Sequence, residues 1–415
     1  MPVYAELISI GDEILYGQTL DTNSHWISGR LDEIGIKVRR KITIGDLRED
    51  ILNSLAEAEK RADVILITGG LGPTKDDLTK PLLGEYFQTP LIRNQEVLSH
   101  IETLFARAGR PVGELNEMQA DLPANCTPIK NNRGTAPGMW FEKEGKIFVS
   151  MPGVPYEMKA MMDESILPQL SERFVGEVIC HRVIKTIGIP ESTLAELIAD
   201  WEDTLPESLK LAYLPTMGQV KLRLTGMGKN LGQVENLISD YEKKVLPIIS
   251  KYVYGYGTDE IEQVIGKMLL KANKTLAVAE SCTGGYLSHL VTTVPGSSQY
   301  FKGGIISYNN HVKTDTLEVS ASDIQKEGAV SEQVVLQMAQ KVREKLGADV
   351  GISTSGIAGP GGGTDEKPVG TVWIGYADER KCIARKFTFS KDRMLNIHWT
   401  ALSAFNLFRL NFSSN

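Results

Sequence analysis

Cysteine is scarce in this chain. Only four occur, at Cys126, Cys180, Cys282 and Cys382, and no two form a C-x-x-C pair. That spacing excludes a disulfide framework and a cysteine-built zinc site. Long apolar runs are missing as well. No stretch approaches the roughly 20 residues that a bilayer requires, and no signal-peptide pattern opens the sequence. A cytoplasmic protein without a membrane partner is expected. An excess of positive charge is also lacking: 45 Lys and Arg against 52 Asp and Glu give a formal net charge of −7. That balance argues against general nucleic-acid binding and against anionic membrane surfaces. Repeats and low-complexity segments do not occur.

What is present is an ordinary globular composition, 42% hydrophobic and 23% charged over 415 residues. That length predicts two or three domains. The first part alternates strand and helix patterns. Val3 to Ile10 predicts a strand, and Asp21-Thr22-Asn23-Ser24 supplies N-cap residues for a helix through Ile34. Gly35 ends that helix, and Ile36 to Ile44 predicts the next strand. Leu47 to Arg61 is helical in pattern, and Val64 to Thr68 is a short apolar strand. Such alternation predicts a parallel sheet covered by helices on both faces, with ligands beyond the C-terminal strand ends.

Polar, glycine-containing segments fall at those ends: Gly11-Asp12-Glu13, Gly45-Asp46, and Thr68-Gly69-Gly70-Leu71-Gly72-Pro73-Thr74. The third loop lets backbone approach an anion, with a helix predicted to begin near Lys75. It is neither a P-loop nor a dinucleotide fingerprint. Asp76 and Asp77 follow at once. Carboxylates beside a phosphate cradle call for a divalent cation between them, which Asp46 and Glu13 can share; otherwise they only complement the helix dipole. Arg133 to Gly138 and Met151 to Pro155 bracket a hairpin over Trp140 to Val149. They form either a rim of the same pocket or plain turns.

In the second half, Thr275 to Val278 predicts a buried strand and Tyr286 to Val294 the start of a helix. Between them lies Ala279-Glu280-Ser281-Cys282-Thr283-Gly284-Gly285. A serine at a strand-to-helix turn, beside outward-pointing amides, suits a nucleophile with an oxyanion site or a phosphate cradle. Equally, Ser281 can simply cap the helix.

Four segments of the first half, Ile10 to Leu15, Asp21 to Ser24, Gly69 to Thr79 and Met151 to Glu157, resemble the N-terminal domain of the CinA family. That domain is similar to the molybdopterin-binding domains of molybdenum-cofactor synthesis. The resemblance implies that the Gly69-Gly70-Leu71-Gly72 loop, Thr74, Asn23 and Ser24 bind phosphate, and that Asp77, Asp46 and Glu13 hold a divalent ion. Magnesium, manganese or cobalt is implied, and potassium is admitted. The implied reaction cleaves ADP-ribose to AMP and ribose 5-phosphate.

Ala279 to Gly285, Gly303 to Tyr308, Gly328 to Ser331, Ser355 to Pro360 and Lys367 to Val372 resemble the nicotinamide mononucleotide deamidase domain of the same family. Its product is nicotinic acid mononucleotide, in pyridine-nucleotide salvage. Ser281 is the candidate nucleophile. His289, eight residues on, should point away from the turn. His311 is a titratable neighbour, but Lys313 matches the family position, and Ile305, Ile306 and Val312 offer the apolar setting that lowers a lysine pKa. Tyr308 holds the substrate amide, orients Lys313, or is a core tyrosine. Thr283, Gly284 and Gly285 of the turn join the substrate contacts. Ser355 leads into Gly356 to Gly363, whose five glycines include Gly361 and Gly362 and suit a ribose phosphate. Arg393 either reaches that phosphate or pairs with Asp392. This domain is expected to work without a metal.

The middle segment resembles the family's small KH-like module. Gly188 to Ser192 introduces a helix through Trp201, Val220 to Thr225 is a strand, and Gln233 to Ile249 is an amphipathic helix. Gly226-Met227-Gly228-Lys229 is a poor substitute for a basic Gly-x-x-Gly loop, so a structural or dimer-forming role is expected rather than RNA binding. The expected architecture is α/β throughout: a molybdopterin-binding-like three-layer domain over 1–172, a KH-like α+β domain over 177–257, and an α/β deamidase domain over 258–413. The competing expectation is a competence- or damage-associated protein that binds nucleotides without turning them over.

Overall fold

The structure is a computed structural model that describes residues 3–74, 77–174 and 178–412. Lys75, Asp76 and Glu177 therefore lie outside the described residues. The chain packs as two compact units, Met1–Cys180 with Met227–Glu235, and His181–Gly226 with Asn236–Asn415.

The N-terminal sheet has six strands. Lys37–Ile44, Tyr4–Ile10, Val64–Thr68 and Lys146–Met151 run parallel in that order. These four are parallel, as the alternation predicts, and the hairpin partner Gly138–Lys143 and then Thr127–Ile129 extend the sheet at one edge through antiparallel pairings. Val64–Thr68 is buried along its whole length, as a β-branched central strand covered on both faces must be. Alternation sends Leu7, Leu66 and Val149 to one core with Ile27 and Leu31, and Ile8, Ile65 and Ile67 to the other with Ile51 and Leu55. Those helix residues belong to Thr22–Glu33 and Arg48–Arg61. Asp21 caps the first, accepting from the Ser24 amide at 2.9 Å. The helix expected near Lys75 begins, among the described residues, at Thr79 and runs to Tyr86.

The middle segment forms a four-stranded sheet in the order Leu209–Thr216, Gln219–Gly228, Val178–Ile187, Val253–Tyr256, with helices Glu191–Glu202 and Leu231–Ile249. Gly226 and Gly228 sit within a strand and its antiparallel ladder, not in a loop between helices.

The C-terminal sheet runs Phe301–Ile306, Leu276–Glu280, Val350–Gly356, Thr371–Ala377, Cys382–Thr388. The first three are parallel and the last two antiparallel. Leu276 and Val278 face the helices Ile261–Ala272 and Arg393–Asn411, while Ala277 and Ala279 face Glu332–Lys345. Among the described residues no helix is long and apolar enough to cross a membrane.

One close approach sets the spacing of this last layer. A β-carbon on Gly351 would stand 2.0 Å from the Ala339 carbonyl oxygen, a backbone atom that cannot swing aside. Gly351→Ala is therefore expected to cost about 1–3 kcal/mol, as overpacking does. At the exposed helical Gly29 nothing lies within 4 Å, and Gly29→Ala should be neutral or stabilise by about 0.5–1 kcal/mol. Thermal denaturation of both variants checks the contrast, and equal midpoints would contradict this packing account.

Candidate functional site

Ser281 stands just beyond the C-terminal end of the fully buried strand Leu276–Glu280. The chain turns there because Glu280 dictates it. Its carboxylate is fully buried and accepts from the amides of Gly285 at 3.0 Å, Leu287 at 3.0 Å and Ser288 at 2.8 Å, and from the Ser288 hydroxyl at 2.6 Å. The helix Tyr286–Thr292 is thus capped by Glu280, not by Ser281. This corrects one expectation: three amides near the helix start are occupied and do not face an incoming anion. It also frees the Ser281 hydroxyl, whose own amide is anchored on the Thr354 carbonyl at 2.9 Å.

That hydroxyl meets Lys313. The Nζ lies 3.1 Å from Ser281 Oγ, 2.6 Å from the Ser307 carbonyl oxygen and 3.4 Å from that of Tyr308. Lys313 is 1% exposed and sits in a π-helical turn, Val312–Thr316. Desolvation pushes its pKa down to about 8. A neutral amine has two N–H bonds and one lone pair. The two carbonyls take the N–H groups, so the lone pair is left for the Ser281 O–H.

Ser281, Lys313, Tyr308, Ser355, Gly356 and Arg393 line one cleft of about 210 Å³, joined by Asn310, Ala329 and Val330. Tyr308 is an exposed residue and not a core one. Its hydroxyl accepts from Arg393 at 3.2 Å, while a second Arg393 nitrogen donates to the Gly359 carbonyl at 2.8 Å. Arg393 therefore does not pair with Asp392, which instead caps the helix Arg393–Asn411 by accepting from the Leu395 amide. The Ser355 hydroxyl is spent on the Ala329 carbonyl at 2.7 Å. Thr283 bonds Thr354 beneath the turn at 2.8 Å. Thr283, Gly284, Gly285, Gly361 and Gly362 do not line the cleft. His289 and His311 are exposed and also stand outside it.

The N-terminal site is a cavity of about 550 Å³ at the strand ends. Gly69, Gly70, Gly72, Asn23, Glu13, Asp46 and Asp77 all line it, and so do Pro152 and Gly153 of the expected rim. A β-carbon on Gly69 would lie 2.1 Å from the Ile10 carbonyl oxygen, and one on Gly70 2.1 Å from Thr79 Oγ1, so the loop has room for backbone only. Thr74 is bound to Asp77 through its amide at 2.9 Å and through its hydroxyl. Ser24 lies beneath the lining rather than in it. Asn23 Nδ2 donates one of its two N–H groups to the Gly153 carbonyl at 2.7 Å.

The charge of this cavity is one-sided. Five carboxylates line it, those of Glu13, Asp21, Asp46, Asp77 and Glu157, and among the described residues no Lys, Arg or His does. Burial, followed by the charges of Asp12, Glu13 and Asp77, raises the Asp46 pKa. Among the described residues no three acidic, histidine or cysteine side chains stand close enough to form a ready-made metal site. The donors nonetheless fit a hard cation in kind, being carboxylate oxygens under mutual repulsion. Sequence reasoning missed Glu280, Glu157 and Gln119. The first had a signal, an acidic residue just ahead of a small-residue turn; Gln119 comes from a distant segment.

Comparison with known proteins places three domain families along the chain. The probable molybdopterin binding domain matches residues 6–172, the damage-inducible protein CinA KH domain 181–255, and the CinA C-terminal domain 258–412. A CinA-like protein of Cytophaga hutchinsonii is 54% identical over 407 residues, covering 98% of this chain and 97% of its own. A putative competence-damage inducible protein of Halothermothrix orenii is 43% identical over 402 residues, 97% of each chain. The crystal structure of a CinA protein of unknown function from Thermoplasma acidophilum matches 40% of this chain and 97% of its own, at 32% identity and a TM-score of 0.37. With near-complete coverage at such identity, the chain belongs to the CinA family, with a molybdopterin-binding-type domain, a KH domain and a CinA C-terminal domain in that order.

Proposed function

We propose that this chain is a two-site hydrolase of pyridine-nucleotide salvage. The C-terminal cleft converts nicotinamide mononucleotide to nicotinic acid mononucleotide and ammonia. The N-terminal cavity splits the pyrophosphate of ADP-ribose into AMP and ribose 5-phosphate. The observation that carries the first activity is the buried Lys313 Nζ at 3.1 Å from Ser281 Oγ.

The amide reaction follows from that contact. Lys313 takes the Ser281 proton as Oγ bonds to the carboxamide carbon. The carbonyl oxygen gains charge beside the turn amide of Cys282, which lines the cleft and is not among the amides that Glu280 takes. The C–N bond breaks, and Lys313 returns the proton to the departing nitrogen, giving ammonia. Water then attacks the acyl ester, Lys313 accepts its proton, and the proton passes back to Ser281 as the acid leaves. Arg393, held by Gly359 and Tyr308 at the cleft mouth, is oriented to meet the substrate phosphate.

In the N-terminal cavity, a divalent ion held by Asp77, Asp46 and Glu13 supplies the positive charge that a pyrophosphate needs among five carboxylates. The Gly69 to Gly72 backbone approaches the phosphates closely, and Thr74 fixes Asp77. In the alternative reading, a competence- or damage-associated protein, the pockets bind nucleotides without turning them over, and an ammonia-release assay separates the two readings.

Ser281→Ala should lower ammonia release from nicotinamide mononucleotide by several orders of magnitude and leave ADP-ribose cleavage intact. More than about a tenth of the wild-type deamidation rate in that variant would rule Ser281 out as nucleophile.

Because the base works only when neutral, the deamidation kcat/KM should climb with pH up to about 8 and level off above it. Lys313→Arg cannot shed its proton and should be as inactive as Lys313→Ala. A flat profile between pH 6 and 9 would contradict the assignment.

Asp77→Asn keeps the shape of the side chain but loses its charge. It should weaken the metal dependence of ADP-ribose cleavage by roughly 10–100-fold. A chelator should stop that reaction and spare ammonia release. Loss of both on chelation would overturn the metal-free account of the cleft.

A further inference from the structure

The loop that anchors Arg393 has little of its own to hold it. Residues 356–363 contain five glycines, and Gly359 lies in the left-handed region at φ +94°. The entry to the loop is fixed by the Ile357 amide, which donates to the Thr371 carbonyl at 2.9 Å. Beyond that point, among the described residues, two side chains reach its backbone. Asn396 donates to the Ala358 carbonyl at 2.9 Å, and Arg393 donates to the next carbonyl, that of Gly359, at 2.8 Å. The two stand three residues apart in the first turn of the helix Arg393–Asn411, and residues so spaced are neighbours on a helix surface.

Asn396 is 1% exposed, whereas Arg393 lies at the surface. The Asn396 Nδ2 also donates to the Ser390 carbonyl at 2.9 Å. Its Oδ1 accepts from the Ser390 amide at 2.9 Å and from the Ser390 hydroxyl at 3.4 Å. Both N–H groups and the oxygen are engaged, which fixes the orientation of the amide. One buried carboxamide thus joins the glycine loop, the segment leading into the helix, and the helix itself. A guanidinium on a long, rotatable stem binds an anion best when its mount is already fixed. We propose that Asn396 is a positioning residue: it holds the Gly359 carbonyl where Arg393 grips it, and so aims the guanidinium at the substrate phosphate. This rests on the assignment of Arg393 to that phosphate, and it adds what orients the contact.

Aspartate fills the same space as Asn396 but sets a second oxygen against the Ala358 and Ser390 carbonyls. A double-mutant cycle on the full chain, read as ammonia release from nicotinamide mononucleotide, uses that change. Asn396→Asp should raise KM about 10-fold, the low end for a hydrogen bond to a charged group. It should leave kcat within about twofold and the shape of the pH profile unchanged, because neither Ser281 nor Lys313 is touched. In an Arg393→Ala background the same change should move KM by less than about twofold, since the group it aims is gone. Asn396→Ala cuts the tether without adding charge; it should behave alike, and it serves where the aspartate variant does not fold. Equal KM effects in both backgrounds, a fall in kcat in place of a rise in KM, or failure of both variants to melt cooperatively would each show that Asn396 supports the fold and does not aim Arg393. If the wild type releases no ammonia, or if Arg393→Ala leaves KM unchanged, the reading of the cleft itself fails, and this inference with it.

Discussion

A lysine amine buried among carbonyls and apolar side chains can keep its proton only at a cost, and the C-terminal site is organised around that cost. Burial brings Lys313 down to about 8, close enough to neutrality for it to serve as a base. The Ser307 and Tyr308 carbonyls then settle which way its lone pair points. The serine is held still by a buried acid. Glu280 keeps its carboxylate buried by collecting three amides and a hydroxyl, and that same set of bonds bends the chain so that Ser281 leaves the strand facing Lys313. One buried acid shapes the turn, and in the proposed reaction one buried amine supplies the reactivity.

The N-terminal cavity inverts this arrangement. Its lining carries five carboxylates and, among the described residues, no cationic side chain. It has glycines whose close backbone contacts leave no space for side chains at the loop. A phosphate ester enters such a place only with cations, so binding there should be gated by metal in a way the Ser281 cleft is not. The two sites thus follow different electrostatic rules on one chain.

Much of the fold was legible in the sequence because its central strands are short apolar runs between glycine-bearing turns. Val64–Thr68 and Leu276–Glu280 announce themselves in this way. The antiparallel edge strands do not. Leu209–Thr216 and Cys382–Thr388 are largely exposed along their length, so their residues lack the apolar signature that burial imposes. The helix start at Tyr286 falls where the sequence puts it, but the cap does not: Glu280, five residues before the N-cap Gly285, takes the role read for Ser281. Of the sites, the residues adjacent to strand ends could be found by reading along the chain, since topology places them together. Gln119 could not, because nothing local shows that a 3₁₀ turn from far along the chain closes over the same cavity.

The claim on which most of this rests is that Lys313 loses its proton near pH 8 in the folded protein, well below an ordinary lysine. Direct titration of its side chain by NMR, with ¹³C,¹⁵N-labelled lysine and a Lys313→Ala variant for assignment, measures that property without any substrate. The account predicts a midpoint of about 8, lower than every exposed lysine in the same spectrum. A Lys313 midpoint near the free value of about 10.4 would mean that the amine stays an ammonium, and that the contact with Ser281 is a structural hydrogen bond rather than the working base of an amidohydrolase.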